Sequence, residues 1–251
     1  MTELPGAAQG PGDDPRGVEL AERLAAVRKR IATAAESAGR GDTLPTLIVV
    51  TKFHPAGDIR RLAALGVTDM GENRDQEAAA KALELADLAL TWHFVGQLQT
   101  KKAKSVARYA SAVHSVDRPQ LVDALAKAVR NEMDSGGRAP LDCFIQVSLD
   151  HDGGGMHRGG ARAADVPVLA ELITGVEGLN LAGVMAVAPL GAPPEQAFEK
   201  LAGISARLVA AYPAASGISA GMSQDLEAAI KFGATHLRVG SDILGSRPAV
   251  G

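Results

Sequence analysis

From Val18 onward, apolar residues return every third or fourth position: Leu20, Leu24, Val27, Ile31 and Ala34 fall on one face. That spacing predicts an amphipathic helix over residues 18–40, stopped near Gly39. The period then changes. Residues 46–51, "TLIVVT", form a short β-branched run that predicts a strand. From there strand-like and helix-like stretches alternate to the end of the chain. The strand-like ones are "VTDMGEN" (67–73), "LTWHFVG" (90–96), "SAVHSV" (111–116), "PLDCFIQVSL" (140–149), "LNLAGVMAV" (179–187), "SGISAGM" (216–222) and "THLRVGSDILG" (235–245), the last a strand running into a loop. Helical patterns lie between them. Asp117 is expected to cap the helix that carries Pro119 in its first turn, and Ser223 the one that stops at Gly233. The helix after the fifth strand is expected to begin near Asp165, because Pro167 is tolerated only in a first turn.

Strands alternating with helices imply parallel pairing through crossovers. Eight such units predict an α/β fold, a single (β/α)8 barrel of the TIM type with residues 18–40 as an extra N-terminal helix. An open doubly wound sheet is the alternative. Residues 1–16, rich in Pro, Gly and Asp, read as a disordered tail, and 17–251 as one domain. The glycine-rich stretch "DHDGGGMHRGG" (150–160) follows a strand and reads as a mobile loop on the functional face.

Composition narrows the function classes. Aromatic residues are only 3% of the 251, so the core must be aliphatic and rich in alanine. A net charge of −3 offers no basic surplus for nucleic acid or an anionic membrane. No stretch approaches the ~20 apolar residues of a membrane span, and the N-terminus lacks the layout of a secretory signal. The single cysteine, Cys143, sits in an apolar strand and excludes an internal disulfide. A cytoplasmic protein is expected.

In a barrel, chemistry belongs where strands run out into the following loops. Lys52 ends the first strand. It is either a rim lysine whose stem covers apolar surface or a Schiff-base lysine whose buried amine is deprotonated and free to attack an aldehyde. The exits of strands seven and eight, "GISAGMS" and "LRVGSDI", supply Gly221, Ser219, Ser223, Gly240 and Ser241. They form either simple turns or a phosphate site of hydroxyls and backbone amides. Arg238 lies just inside the last strand end and needs an acceptor, either a ligand or a strand-end acid such as Glu72. Glu72 and Asn73 could equally cap the next helix. His93 reads as a satisfied core histidine or a ligand neighbour. No zinc-type spacing, nucleophile elbow, Walker motif or dinucleotide fingerprint is present.

The stretches "VVTKFHP", "DMGENRDQEA", "WHFVGQLQTKKAK", "HSVDR", "GVMAV" and "GMSQDLEAAIKFGATHLRVGSDILG" resemble the pyridoxal phosphate homeostasis protein family. Its single domain is similar to the barrel of alanine racemase (fold type III among pyridoxal-phosphate proteins). The resemblance implies that Lys52 holds pyridoxal 5′-phosphate as an internal aldimine. It implies that Ser219, Gly240 and Ser241 bind the phosphate, with Met222 and Ser223 lining the same loop. It places Arg238 at the pyridine nitrogen, Asn73 on the opposite side of the ring, and His93 as a neighbour from strand three. Serine at 241 stands where threonine is common, which keeps the hydroxyl, and Arg158 stands in a loop that usually carries lysine.

Two functions follow from different classes. One is a carrier that buffers the cofactor, exchanges it with apo-enzymes, works as a monomer and turns over no substrate. The other is an amino-acid racemase. Racemisation needs a second base opposite the lysine, and the two tyrosines, Tyr109 and Tyr212, lie away from strand ends. The carrier is the expected function. A cofactor-free barrel enzyme acting on a sugar phosphate would need a strand-end pair of carboxylates, which the pattern does not supply.

Overall fold

The computed structural model describes residues 14–136, 138–150, 159–189 and 191–246. A leading helix, α1 (Pro15–Ser37), precedes eight parallel strands that pair in chain order and close into a barrel. They are β1 (Thr46–Val50), β2 (Asp69–Glu72), β3 (Thr91–Phe94), β4 (Ala112–Val116), β5 (Leu141–Gln146), β6 (Leu179–Met185), β7 (Gly217–Ser219) and β8 (His236–Val239). The crossovers carry α2 (Ala56–Ala64), α3 (Asp75–Glu84), α4 (Ala103–Val106), α5 (Pro119–Gly136), α6 (Val166–Thr174), α7 (Pro194–Ala211) and α8 (Leu226–Lys231), and α9 (Ser241–Leu244) follows the last strand. β8 pairs back onto β1, with Ile48 opposite Arg238. That closure excludes the open sheet and makes the expected barrel the observed one.

A closed parallel sheet is buried on both faces, so its strands sort residues by parity. Val49, Met70, Phe94, Val113 and Cys143 point outward into one continuous apolar layer beneath the helices. Burial pushes the Cys143 thiol pKa up, leaving an inert core thiol. The other parity faces the barrel axis, where a small cluster of Ala112, Phe144 and Met185 packs. Gly71 makes room there, since a Cβ at that position would stand 2.9 Å from Ile48 Cγ2.

The extra helix closes the barrel from outside. Leu20, Leu24, Val27, Ile31 and Ala35 are its buried stripe, packed against α2, α8 and α9. It starts earlier than the sequence pattern suggests. Pro15 occupies its first turn, and Arg16 is an anchor rather than the end of a tail: it pairs with Asp58 of α2 at 2.7 Å and donates to the Leu244 carbonyl at 2.9 Å. Residues 1–13 of the expected tail, and 151–158 of the glycine-rich loop, lie outside the described residues.

Two expected caps are displaced. Ser223 does not cap α8, which begins at Leu226 after Asp225. The Asp225 carboxylate accepts the Met222 N–H at 2.6 Å and closes the turn that carries Ser223. Asp117 lies one residue too early to cap α5, and its carboxylate accepts from Arg118 at 2.5 Å. Among the described residues no helix is long and apolar enough to cross a membrane, and no cluster of His, Cys, Asp or Glu could hold a metal ion.

Leu24→Ala should therefore cost about 2–5 kcal/mol of unfolding free energy, because it opens a cavity under α1. Leu83→Ala, at a side chain 80% exposed, should change it by less than about 0.5 kcal/mol. Urea denaturation of the two variants checks this, with the midpoint shifting and the slope constant.

Candidate functional site

A cavity of about 610 Å³ opens at the mouth where the strands end. The inward residues Val50 and Lys52 reach it from β1 and its exit, Asn73 from β2, Val95 from β3, and Arg238 and Gly240 from β8. The loops after β6 and β7 close its sides with Val187, Ala188, Met222, Ser223 and Gln224. Of the residues singled out from the sequence, Lys52, Asn73, Met222, Ser223, Arg238, Gly240 and Ser241 thus meet in one place.

Lys52 is exposed at this mouth. The premise that its amine is buried is corrected: Thr51 ends the buried part of the strand and faces outward, and Lys52 emerges one residue later on the cavity side. Asn73 presents a buried Oδ1 with no hydrogen-bond partner among the described residues. A buried amide oxygen without a donor is uncommon and marks a place for a ligand or water.

The loops after β7 and β8 converge. Ser223 Oγ and Ser241 Oγ stand 3.2 Å apart across the gap between them. Gly221 has φ +91°, and a Cβ there would stand 2.7 Å from the Ala229 Cβ and 2.9 Å from Leu237 Cδ2, so only glycine fits. Gly240 precedes the first turn of α9, whose leading amides have no acceptor within the helix. Arg30 of α1 ties both loops from behind. It donates to the Ser223 carbonyl at 2.9 Å, pairs with Glu227 at 2.8 Å and with Asp242 at 2.6 Å. Arg30 sits on the polar face of a surface helix, so no local pattern distinguished it in the sequence.

Arg238 forms the floor and is buried. Its guanidinium donates to Ser219 Oγ at 2.6 Å and to the Ala186 carbonyl at 3.0 Å. Burial lowers its pKa to about 10, which leaves it cationic at neutral pH. Glu72 is not its partner, since that side chain points out of the barrel to Lys81 at 2.6 Å.

Ser219 and His93 stand below the cavity rather than in its lining. On a strand, successive inward residues are two positions apart. On β3 it is Val95, not His93, that reaches the mouth, and on the β7 side it is the loop beyond Ser219. Ser219, His114, His93 and Asp69 instead form a file down the barrel axis. Ser219 Oγ lies 2.8 Å from His114 Nδ1, His114 Nε2 lies 3.0 Å from His93 Nδ1, and His93 Nε2 lies 3.0 Å from Asp69 Oδ1.

One proton arrangement with both imidazoles neutral satisfies every link. Arg238 donates to Ser219, Ser219 to His114, His114 to His93, and His93 to the Asp69 carboxylate. The Ser219 hydroxyl is thereby committed to the file. His93 also lines a separate cavity of about 790 Å³ at the opposite mouth, with Asp142, His236 and Tyr212. His114 stacks on Phe144 with ring centroids 4.3 Å apart.

Burial drives the His114 pKa well below the usual imidazole range, and that of His236 down to about 4. A histidine whose folded pKa is depressed supports the fold fully above its unfolded value near 6.5, and that support is lost as pH falls towards the folded value. Unfolding free energy should fall by on the order of 3 kcal/mol between about pH 6.5 and 4 from His236 alone. Urea titrations across that range should show a shallower fall in His236→Gln.

The sequence and the fold have relatives among known proteins. The family model described as "Alanine racemase, N-terminal domain" matches residues 23–248. A pyridoxal phosphate homeostasis protein of Corynebacterium glutamicum is 48% identical over 204 residues, covering 80% of this chain and 90% of that one. The protein of the same name from Mycobacterium tuberculosis is 43% identical over 246 residues, covering 92% and 94%. Among solved structures, PipY of Synechococcus elongatus superposes with a TM-score of 0.77 without pyridoxal phosphate and 0.74 with it bound. It is 33% identical, over 90% of this chain and all of that one. Alanine racemase of C. glutamicum shares the fold, with a TM-score of 0.61 at 14% identity. The chain belongs to the alanine racemase N-terminal domain family, in the branch of the pyridoxal phosphate homeostasis proteins.

Proposed function

We propose that this protein binds pyridoxal 5′-phosphate and serves as its carrier and buffer rather than as a catalyst. The observation that carries the reading is the meeting, in one cavity, of a lysine, two facing hydroxyls 3.2 Å apart and a buried arginine floor. A primary amine suits an aldehyde, paired hydroxyls with helix-turn amides suit a phosphate, and a fixed donor suits a ring nitrogen. The residues present therefore fit the cofactor. The names of the relatives and the cofactor bound in PipY support the same reading.

Lys52 would hold the cofactor covalently. Ser223, Ser241 and the amides that follow Gly240 would hold the phosphate, with Met222 at the loop edge. Asn73 would lie against the ring, and Arg238 would donate to its nitrogen. Bound there, the cofactor supplies an aldehyde and a conjugated ring able to draw electrons from an attached amine. Arg238 tempers that pull. A guanidinium can donate but not give up its proton at neutral pH, so a ring nitrogen facing it would stay unprotonated and the ring would be a weak electron sink. Of the two tyrosines, Tyr109 lies in the groove between α3 and α4 and Tyr212 at the opposite mouth. Both placements favour carriage over racemisation. Glu72 faces away from the cavity, which disfavours a sugar-phosphate enzyme. The reading extends to a cytoplasmic monomer that exchanges cofactor with apo-enzymes.

Borohydride treatment of the loaded protein should attach the cofactor to the peptide containing Lys52. Lys52→Ala should lose that attachment and keep measurable binding through the phosphate loops. Hydrogen bonds to a charged group are worth roughly 1.5–3 kcal/mol, so Ser223→Ala with Ser241→Ala should weaken binding by about a hundredfold or more. A protein that gains no visible absorbance band on addition of pyridoxal 5′-phosphate defeats the reading. So does efficient interconversion of L- and D-alanine that is lost in Lys52→Ala.

Light scattering after size exclusion should give the mass of one chain. A stable dimer that covers the end of β1 would point to a group supplied by the second copy.

A further inference from the structure

The two residues that flank Lys52 are held from outside the barrel by a cluster centred on one side chain of α3, which takes Thr51 directly and Phe53 through Glu77. Lys81 Nζ donates to the Thr51 carbonyl at 2.8 Å and to Glu72 Oε1 and Glu77 Oε1 at 2.6 Å each. All three ammonium hydrogens have acceptors. The Thr51 hydroxyl donates to the same Glu72 oxygen at 2.7 Å, and the Phe53 N–H donates to the same Glu77 oxygen at 2.5 Å. One ammonium and two carboxylates therefore grip the chain immediately before and immediately after Lys52.

The grip opposes a local strain. Phe53 has φ +68°, the only positive value at a non-glycine position among the described residues. A left-handed residue with a Cβ is disfavoured, because the Cβ crowds the following carbonyl oxygen. The turn is also closed by the His54 N–H to the Thr51 carbonyl at 3.0 Å, and the Arg74 guanidinium lies 4.6 Å from the centre of the Phe53 ring. The chain must leave the barrel for α2 just after presenting Lys52 inward, and a left-handed step makes that turn in one residue.

Stability alone does not account for such a cluster. Lys81 is 7% exposed and Glu72 is fully buried, and buried ion pairs are often no more stabilising than apolar packing of the same volume. What the cluster does specify is direction. We propose that Lys81 is the positioning residue of the Lys52 amine, locking the residue 51–53 turn so that Lys52 is aimed into the cavity. This inference rests on the cofactor reading above.

The test compares two readouts in the full-length chain. The first is the rate of borohydride-trappable attachment of pyridoxal 5′-phosphate to Lys52, followed by absorbance and mass. The second is affinity for pyridoxine 5′-phosphate, which has the phosphate and ring but no aldehyde. Lys81→Met should slow attachment tenfold or more and leave pyridoxine 5′-phosphate affinity within twofold. Adding Phe53→Gly to Lys81→Met should restore most of the rate, because glycine holds the left-handed turn without the grip. If Lys81→Met does not fold, Lys81→Arg keeps the charge but not the three-way geometry, and it should slow attachment in the same selective way. Unchanged attachment in either folded variant overturns the proposal. So does a parallel loss of rate and pyridoxine 5′-phosphate affinity that Phe53→Gly does not rescue, which marks a purely structural role. Wild-type protein that binds pyridoxine 5′-phosphate but never attaches the aldehyde overturns both this proposal and the covalent role of Lys52.

Discussion

A permanent cation on the barrel axis is the constraint around which the interior is built. Arg238 is inward by strand parity and buried by the loops above it, so its guanidinium has little water to solvate it. Removing such a charge from water without partners would cost several kcal/mol. The Ala186 carbonyl and the Ser219 hydroxyl supply acceptors. A hydroxyl that accepts must place its own proton somewhere, and His114 takes it. The demand passes through His93 and ends at the Asp69 carboxylate, beside the opposite mouth. Barrels of this type usually fill their axis with branched aliphatic layers. Here a polar file occupies part of that volume, with Phe144 stacked against its central ring.

The file has a direction. With a carboxylate at one end and a guanidinium at the other, the neutral histidines have one tautomer each that satisfies all links. On the proposed reading Arg238 would donate towards the cavity as well as within the barrel, and it could not accept a proton from a ring nitrogen. Carriage of the cofactor and restraint of its chemistry would then share one cause.

Outside the barrel, two further polar clusters do for the loops what the file does for the floor. Arg30 reaches from α1 and joins the exits of β7 and β8, fixing the distance between the two serines. Lys81 reaches from α3 to Thr51 and, through Glu77, to Phe53, joining the two sides of the β1 exit. Each crosses between elements far apart in the chain. The cavity is therefore mounted from three directions, and each mount uses a cation with several acceptors because one such group can join points on several elements.

The alternation of periods along the chain was enough to predict parallel strands joined by helical crossovers, and so a barrel with only an open doubly wound sheet beside it; the pairing of β8 with β1 decided between them. The strand ends were legible too. Lys52, Asn73, Arg238, Gly240 and Ser241 reach the mouth because strand exits in a barrel converge there, whatever the details of packing. What the sequence could not determine was height and facing within the barrel. His93 and Ser219 are near strand ends, yet parity and the stagger of closure leave them beneath the cavity. Glu72 and Arg238 look like complementary charges, but they face opposite sides of the sheet. Lys81 lies four residues after Glu77 and reads as one half of an ordinary helical surface pair. Only closure of the barrel turns that face of α3 inward and brings Thr51, thirty residues earlier, within reach of the same nitrogen. Local pattern reports which side of an element is apolar; which polar groups meet across elements is set by register and packing, and these exist only once the tertiary structure has formed.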